Sequence, residues 1–472
     1  MSLFDAYDQY DATGLALLIE NGEVSTGAII DTAISRIEAL NPALNAVIVR
    51  TFEQALEAVK AGLPEGPLKG VPYLVKDLNT WIGGVPASNG SRAFERFCPA
   101  DDAVLIKRLR AGGLVILGKT NTPEFGLNMC TSPALFGPTR NPFDATRSAG
   151  GSSGGSACAV ASGMLPAAHA TDSGGSIRIP ASNCGLFGLK PSRARVPLGN
   201  DQSEGLAGFS TAHAVTHSVR DSALLLDIAA GPMPGDAYAA PTQAGCFVDS
   251  LEGAFSPPRI ALWTQGFAEE LVAPNCQQAA RDAARLCEEL GCSVEEVRPN
   301  IDGFALRKAF DVLFTGNICN LLEMISNAYP GEKTETLVEP LTYACAQAGR
   351  GYTAADYAAA VLSVQQATRV LGQFFTQYDV LLTPTLANPP LPLDAVSMQN
   401  SDWPAYACQL LDELPFTPLF NATGAPAASL PLSHDDDGLP IGVQIGAALG
   451  NEALLLRLAR ELERAAPWHQ RQ

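Results

Sequence analysis

The sequence has few charged side chains and very few histidines for its length. Of its 472 residues, 17% are charged and five are histidine, whereas 47% are hydrophobic. That composition supplies a large apolar core and excludes an intrinsically disordered chain. The sequence also lacks any run of 18 apolar residues, which excludes a membrane-spanning helix.

Basic residues are scarce as well. Lysine and arginine number 31 against 49 aspartates and glutamates, the formal net charge is -18, and no Lys/Arg run stands out. Because such a chain repels polyanions, we expect neither a nucleic-acid nor a membrane partner. The N-terminal stretch "MSLFDAYDQYDATG" carries acidic residues where a signal peptide would be basic, which predicts a cytoplasmic protein.

The eleven cysteines form no paired or metal-binding pattern. Their number is odd, and none of them stands in a CxxC motif or beside a histidine-rich stretch. This pattern is typical of reduced, mostly buried thiols and not of a disulfide framework or a zinc site. We therefore expect no metal and no cofactor.

Helical patterns alternate with short apolar runs along the whole chain. A helix is predicted over residues 25–40, ended by Asn41-Pro42, and buried strands are predicted around Lys76 and over 114–117. This alternation predicts an α/β fold, with a large mixed or parallel β-sheet covered by helices on both faces.

No repeat or linker divides the chain, so 1–472 is predicted to be one domain. Within it we expect a helical segment at 1–63, a core carrying the motifs below at 64–200, and the remaining strands with the substrate-pocket segments at 201–472. The stretch "LANPPLPLDAVSMQN" at 386–400 is predicted to be a loop that forms a lid or a pocket rim.

Two formal motif matches are weak. "GLVILGKT" at 113–120 fits a phosphate-binding loop, but its four middle residues are those of a buried strand, which is the preferred interpretation. "GGSSG" at 150–154 fits a nucleophile elbow, although the preceding residues make a poor strand. His169, flanked by alanines, is interpreted as a core residue and not as a base.

Three other stretches, taken together, are a more specific signal than these two motif matches. They are "GVPYLVKDL" at 70–78, "SAGGSSGGSACAVASG" at 148–163 and "TDSGGSIRIPASNCGLFGLKPS" at 171–192. In this order they resemble the amidase signature family of serine hydrolases. The resemblance extends from about residue 25 to 468 and includes "RLRAGGLVILGKTNTPEFG" and "FGPTRNPFD".

The resemblance implies the amidase signature fold and a Ser–cisSer–Lys triad. Ser176 matches the nucleophile, and Lys76 matches the general base. Ser152 matches the bridging serine, whose preceding peptide bond is cis in the family. It also implies an amidase that hydrolyses the C–N bond of a small carboxylic amide, linear or cyclic, through an acyl-enzyme.

The same loop is implied to hold the oxyanion of the reaction. The backbone N–H groups of Ser173, Gly174 and Gly175 match the family's oxyanion hole. Asp172 and Arg178 are expected to order this loop by hydrogen bonds and not to take part in the chemistry.

The chemistry sets a condition on Lys76. Free lysine has a pKa of about 10.4, so Lys76 acts as a base near neutral pH only if burial lowers its pKa strongly. "VPYLV" supplies apolar surroundings. Asp77 would oppose the shift if it faced Lys76, but neighbours in a strand face opposite sides, so we expect it to face away.

The sequence constrains the substrate less than it constrains the triad. "TSPALFGPTRNPFD" and "LFTGNICNLLEMI" are similar to the family branch that hydrolyses 6-aminohexanoate cyclic dimer and related small amides. On that resemblance Cys319 and Asn128 are candidate pocket residues, while a helix-core thiol is an equally good interpretation of Cys319. The expected partner is a small-molecule amide, and a homodimer is left open.

Two other classes of protein stay open at this point. One is an α/β-hydrolase esterase that uses Ser152 or Ser153 with His213, His217 or His434. The other is a binding protein that keeps the amidase fold without catalysis, against which the intact triad argues. The acidic charge and the standalone length argue against the transamidating subunit of a tRNA-dependent amidotransferase.

Overall fold

The protein was analysed as a computed structural model that describes residues 3–199 and 202–468. The predicted boundary between residues 200 and 201 lies outside the described residues, and the division of the chain into three segments stays a prediction. No helix in the described ranges is long and apolar enough to cross a membrane.

The described residues form one sheet of eleven strands. They are β1 (Val47–Arg50), β2 (Pro72–Lys76), β3 (Val115–Thr120), β4 (Ala167–Asp172), β5 (Phe187–Lys190), β6 (Thr211–Thr216), β7 (Arg259–Leu262), β8 (Ser293–Glu296), β9 (Val380–Pro384), β10 (Ala427–His434) and β11 (Pro440–Ala447). The spatial order is β1-β3-β2-β4-β6-β5-β10-β11-β9-β7-β8. The sheet is mixed, because β2 runs parallel to β3 and β4, and β7 parallel to β8 and β9, while the other pairs are antiparallel.

Fifteen α-helices surround this sheet in the same part of the chain. They are α1 (Ala12–Glu20), α2 (Thr26–Leu44), α3 (Phe52–Ala61), α4 (Val104–Ala111), α5 (Gly154–Ala161), α6 (Arg178–Asn183), α7 (Val219–Ala229), α8 (Pro274–Glu289), α9 (Gly303–Ala328), α10 (Thr334–Leu337), α11 (Pro340–Gly349), α12 (Ala354–Phe374), α13 (Trp403–Glu413), α14 (Thr417–Thr423) and α15 (Glu452–Ala465). Short 3₁₀ segments lie at Tyr7–Gln9, Arg92–Phe94, Glu124–Gly126 and Val248–Leu251.

The sheet is buried on both faces, as expected for strands that read as continuous apolar runs. Every residue of β2, β3, β4, β6 and β11 is buried, although successive side chains point to opposite faces. The predicted α/β architecture with helices on both faces is therefore confirmed.

The first predicted helix ends later than expected. Ser25 caps α2 by accepting a hydrogen bond from Ala28 N, but the helix runs through Pro42 to Leu44. A proline this close to the end removes few helical hydrogen bonds, and the left-handed Asn45 ends the helix. The interpretation of Asn41-Pro42 as the stop was wrong.

The strand interpretation of 113–120 and the loop prediction for 386–400 are confirmed, while the lid or pocket-rim role of 386–400 stays a prediction. Residues 115–120 of the phosphate-loop match form the buried strand β3. Residues 386–400 contain no helix or strand, and Pro392 makes one isolated bridge with Arg147.

The topology places three strand ends side by side. Lys76 ends β2 opposite Thr120, which ends β3, and β2 also pairs in parallel with β4, which ends at Asp172. Because the carboxyl ends of parallel strands meet at one edge of a sheet, these residues come together there.

Candidate active site

Lys76 lies at this edge among three buried hydroxyl groups. Its Nζ is 2.7 Å from Ser152 Oγ, 2.8 Å from Ser153 Oγ and 2.9 Å from Thr171 Oγ1. Lys76 is fully buried. Each hydroxyl can accept or donate a hydrogen bond, so the cluster suits a lysine that changes its protonation state.

Burial lowers the pKa of Lys76 well below the ordinary lysine value, and the charge of Asp172 opposes this only in part. Asp77 faces away from Lys76, as predicted: its carboxylate forms an ion pair with the buried Lys119 and accepts a hydrogen bond from Ser88 Oγ. The site therefore supplies the low pKa that the sequence required of Lys76.

Ser152 and Ser153 lie in the glycine-rich loop that leads into α5. The peptide bond between Gly151 and Ser152 is cis, as expected from the resemblance. Ser153 Oγ donates to the Thr171 carbonyl at 3.1 Å, so its hydrogen is already used and it receives a hydrogen bond from Lys76.

Ser176 lies in the turn between β4 and α6 and is half-buried. The hydrogen bonds of the described residues join Lys76 to Ser152, but none of them comes from the Ser176 hydroxyl. The structure thus brings Lys76 and Ser152 into direct contact, while a relay from Ser176 to Ser152 remains a proposal.

The amides of this turn differ in their partners. Gly175 N donates to Asp172 Oδ1 at 2.7 Å, and Ile177 N donates to Asp172 Oδ2 at 3.1 Å. Among the described residues, the N–H groups of Ser173, Gly174 and Ser176 have no hydrogen bond. Of the three predicted oxyanion donors, Ser173 and Gly174 are free, and Gly175 is available only by sharing its hydrogen with Asp172.

Asp172 and Arg178 form a hydrogen-bond network at this loop. The fully buried Arg178 guanidinium donates to both Asp172 oxygens. It also donates to Thr417 O, Gln444 Oε1 and Asn421 Oδ1, so all five of its N–H groups are used. Burial alone would raise the pKa of Asp172, but the charge and hydrogen bonds of Arg178 hold it below the usual range.

Gly175 tolerates no side chain. Its φ of +135° belongs to glycine, and a Cβ would lie 2.5 Å from Thr417 Oγ1. Thr417 Oγ1 in turn donates to Gly174 O at 2.7 Å. The start of α14 therefore packs directly against the loop that carries Ser176.

The space next to the loop is mostly uncharged. A Cβ at Gly174 would come within 3.3 Å of Phe310 Cζ, so this ring of α9 lies against the loop. On another side a cavity of about 100 Å³ has walls that include Leu78, Trp81, Thr171 and Ser173. No charged side chain lines it in the described part of the chain.

The two candidate pocket residues are placed differently. The backbone of Asn128 packs on Gly151, and its buried side chain donates to Val396 O at 3.0 Å, which links it to the 386–400 loop. Cys319 is half-buried and packs against Gly349 at the end of α11. These contacts favour the helix-core interpretation of Cys319, and the pocket roles of both residues stay predictions.

His169, His213 and His217 each make a hydrogen bond to a group other than Ser152, Ser153 or Ser176. His169 Nδ1 accepts a hydrogen bond from Lys76 N at 3.3 Å, and burial lowers the pKa of its ring to about 3, which suits the predicted core role. His213 Nε2 bonds Ser222 Oγ, and His217 Nε2 bonds Val160 O. No strand leads into Ser152, so the esterase alternative is not favoured.

The sequence analysis did not identify the hydrogen-bond partners of Lys76 and Arg178. Those of Lys76 include Ser153 and Thr171, and those of Arg178 include Thr417, Asn421 and Gln444. Ser153 and Thr171 lie within the quoted stretches and could have been considered as lysine partners. The other three lie about 240 or more residues away from Arg178 in the chain, and their spacing carries no local signal.

The fold is that of a class of amide hydrolases. The model of the Amidase family matches residues 28–456, and the chain belongs to that family. It is an amidohydrolase, an enzyme that acts on the carbon–nitrogen bonds of amides.

Several relatives are similar over nearly their whole length. The 6-aminohexanoate-cyclic-dimer hydrolase of Paenarthrobacter ureafaciens is 37% identical over 97% of this chain and 95% of its own. The acylamidase of Rhodococcus erythropolis is 33% identical over 97% and 95%. A solved structure of 6-aminohexanoate cyclic dimer hydrolase has a TM-score of 0.93 and 34% identity, and the match covers 99% of both chains.

In the described ranges, no group of three or more His, Cys, Asp or Glu side chains could hold a metal ion.

Proposed function

We propose that this amidase hydrolyses a small, uncharged carboxylic amide, linear or cyclic, through an acyl-enzyme on Ser176. Ser152 relays protons, and Lys76 is the general base. The observation that carries the proposal is the contact of 2.7 Å between Nζ of the buried Lys76 and Ser152 Oγ. The backbone N–H groups of Ser173 and Gly174 form the oxyanion site of the enzyme. The Gly175 N–H contributes only in part, because it also donates to Asp172 Oδ1.

Counting hydrogens supports the direction of the relay. A neutral Lys76 amine has two hydrogens and one lone pair, and it faces three hydroxyl groups. Ser153 already donates to a carbonyl, so it takes one of the amine hydrogens. If Thr171 takes the other, the lone pair points at Ser152, which then donates its hydrogen to Lys76.

The acylation step follows from that arrangement. Ser176 Oγ bonds to the amide carbon while its proton passes to Ser152 and the Ser152 proton passes to Lys76. The carbonyl oxygen becomes an oxyanion that the loop amides stabilise. When the C–N bond breaks, Lys76 returns its proton to Ser152, which gives a proton to the leaving nitrogen.

Deacylation uses the same groups. Water bonds to the acyl carbon and gives its proton through Ser152 to Lys76, and the ester bond then breaks. Ser176 recovers its proton by the reverse path, and the carboxylic acid is released.

The surroundings of the loop support an uncharged substrate. Phe310 lies against Gly174, and the neighbouring cavity has uncharged walls. A charged group placed there would lose its hydration without gaining a partner. Because a relative is named for the hydrolysis of 6-aminohexanoate cyclic dimer, that neutral cyclic amide is a suitable first substrate.

The experiment compares the wild type with Ser176→Ala on that dimer and on a panel of aliphatic and aromatic amides, with products followed by mass spectrometry. Each neutral amide is paired with an analogue that carries a carboxylate. We expect turnover of neutral amides, poor turnover of the charged analogues, and an acyl adduct on Ser176 with a slow substrate. More than a few percent residual activity in Ser176→Ala would refute the nucleophile assignment.

A further inference from the structure

A short turn packs directly on Ser152. Gly126, the last residue of the Glu124–Gly126 segment, has a φ of +72°. A Cβ added to it would lie 3.1 Å from Ser152 Oγ and 2.8 Å from Leu78 Cδ2. The backbone of this turn therefore forms a wall beside the Ser152 hydroxyl, and any shift of the turn changes the space in which that hydroxyl is held.

The side chain of Glu124 ties this turn to distant parts of the chain. Its carboxylate is buried and accepts a hydrogen bond from Ser91 Oγ at 2.7 Å. The other carboxylate oxygen accepts from Glu339 N at 2.7 Å and from Thr342 Oγ1. The latter two residues lie more than 200 positions further along the chain.

Glu339 and Thr342 lie at the start of α11, and α11 packs against α9, the helix whose Phe310 lies against Gly174. Glu339 occupies the N-cap position of α11 without a capping hydrogen bond from its own side chain, and Thr342 lies in the first turn, where backbone N–H groups favour an acidic partner. A Cβ at Gly349, at the other end of α11, would lie 2.3 Å from Thr315 O of α9. Glu124 thus joins the helical region to the turn beside Ser152.

The turn needs such an anchor. Phe125, between Glu124 and Gly126, has a left-handed φ of 50°, which a phenylalanine adopts only at a cost of about 1 kcal/mol or more. A strained residue next to a buried carboxylate with three donors indicates that the carboxylate holds the turn in place.

We propose that Glu124 is a positioning residue for Ser152: its carboxylate clamps the 124–126 turn onto the relay hydroxyl by binding the start of α11 and Ser91. The proposal rests on the relay role proposed above for Ser152. It predicts that loss of the clamp slows acylation more than it weakens substrate binding, because the turn packs directly against the Ser152 hydroxyl.

The raised pKa of Glu124 indicates which substitution should preserve the clamp. Burial raises the pKa of Glu124 to about 7, against the hydrogen bonds from Thr342, Ser91 and Glu339 N. A carboxyl group that is readily protonated has the shape of a glutamine side chain. Glu124→Gln can accept from Glu339 N and Thr342 and can donate to Ser91, whereas Glu124→Ala can do neither.

Asp221 offers a matched control outside the site. It is also fully buried, and burial raises its pKa to about 7 as well. It accepts hydrogen bonds from Ala12 N and Thr13 N, at the start of α1, so it clamps a helix start from a distant segment in the same way. Asp221→Ala should therefore cost stability without changing turnover per folded molecule.

The test measures kcat, KM and the single-turnover acylation rate, each per folded enzyme as counted by active-site titration, and the thermal midpoint of every variant. We expect Glu124→Ala to lower kcat and the acylation rate by about 10- to 100-fold with KM within about threefold, since small misplacements of reacting groups cost that much. Glu124→Gln should stay within about threefold of the wild type, and Asp221→Ala should keep the wild-type kcat.

Wild-type kcat in folded Glu124→Ala, or an equal loss in Asp221→Ala, would overturn the proposal. If Glu124→Ala does not fold, the Ser91→Ala/Thr342→Val double variant decides: a lower kcat at unchanged KM supports the clamp, and an unchanged kcat refutes it. Ser176→Ala is measured in parallel. If it stays active, the proposed mechanism fails; if it is inactive while Glu124→Ala is fully active, only the Glu124 proposal fails.

Discussion

Lys76 Nζ and Ser152 Oγ lie 2.7 Å apart, both buried, at the carboxyl edge of the mixed sheet. This contact joins two stretches 76 residues apart in the chain. It depends on the parallel pairing of β2 with β4 and on the path of the loop before α5.

Removing the relay should lower turnover strongly. Ser152→Ala takes away the hydroxyl that faces Lys76, and a positioned proton-transfer group contributes about 10²–10⁴-fold. We expect kcat for amide hydrolysis to fall in that range while the folded structure remains. Ser156→Ala is the control, because this serine is equally buried but bonds Thr120 and the His169 carbonyl. Equal losses in the two variants would contradict the relay.

Amidase activity should follow the protonation of Lys76. The base must be neutral, so kcat/KM should rise with pH through the lowered pKa of Lys76 and then reach a plateau. The plateau should begin well below pH 10, because burial lowers this pKa. The measurement is kcat/KM from about pH 5 to 10 in buffers of constant ionic strength. A rise that continues to an ordinary lysine pKa would contradict a buried neutral base.

The same pKa shift predicts a pH-dependent stability difference. Below about pH 10.4 an unfolded lysine binds a proton, whereas the folded protein keeps Lys76 neutral down to its lowered pKa. The wild type therefore loses stability as pH falls across this window, and Lys76→Met does not. We expect the thermal midpoint of Lys76→Met, relative to the wild type, to increase as pH falls from 10 toward 6. A difference that is constant with pH would contradict it.

Removing one partner of the buried ion pair between Asp172 and Arg178 should lower the unfolding free energy strongly. Arg178→Met leaves Asp172 without its cation and should cost about 3–5 kcal/mol of unfolding free energy, measured by denaturant titration. The Asp172→Asn/Arg178→Met double variant should lose less than the sum of its single changes. As a control, Arg464→Met breaks an exposed pair with Glu252 and should cost less than about 1 kcal/mol. Similar losses in the two arginine variants would contradict a specific role of the buried pair.

Alanine should lower the stability of the protein at one glycine, Gly175, and raise it at another, Gly372. Gly175→Ala places a methyl group 2.5 Å from Thr417 Oγ1 at a φ of +135°, so it should distort the nucleophile loop and lower both stability and kcat. Gly372→Ala, inside α12 with open space around it, should raise unfolding free energy by about 0.5–1 kcal/mol with kcat unchanged. Denaturant titration and steady-state kinetics check both. Wild-type unfolding free energy and kcat in Gly175→Ala would contradict the close contact with Thr417.

The local motifs were readable in the sequence because their features are local. The apolar stretch "VPYLV" predicted a buried strand around Lys76, and the structure has one there. The stop at Asn41-Pro42 was misjudged because a proline in the last turn of a helix costs little. The partners of Arg178 were missed because a guanidinium at the start of α6 selects them from segments that are distant in the chain.

Composition and the alternation of helical and apolar patterns by themselves determined an α/β protein with a large apolar core, and the resemblance of its motifs indicated the amidase family. They also indicated that its lysine needs burial to act as a base. Tertiary structure alone decided which hydroxyl groups surround Lys76, that Asp172 occupies the Gly175 amide, and that Glu124 joins α11 to the turn beside Ser152. The physical reason is that hydrogen bonds and burial depend on strand pairing and helix packing, which bring together residues up to several hundred positions apart.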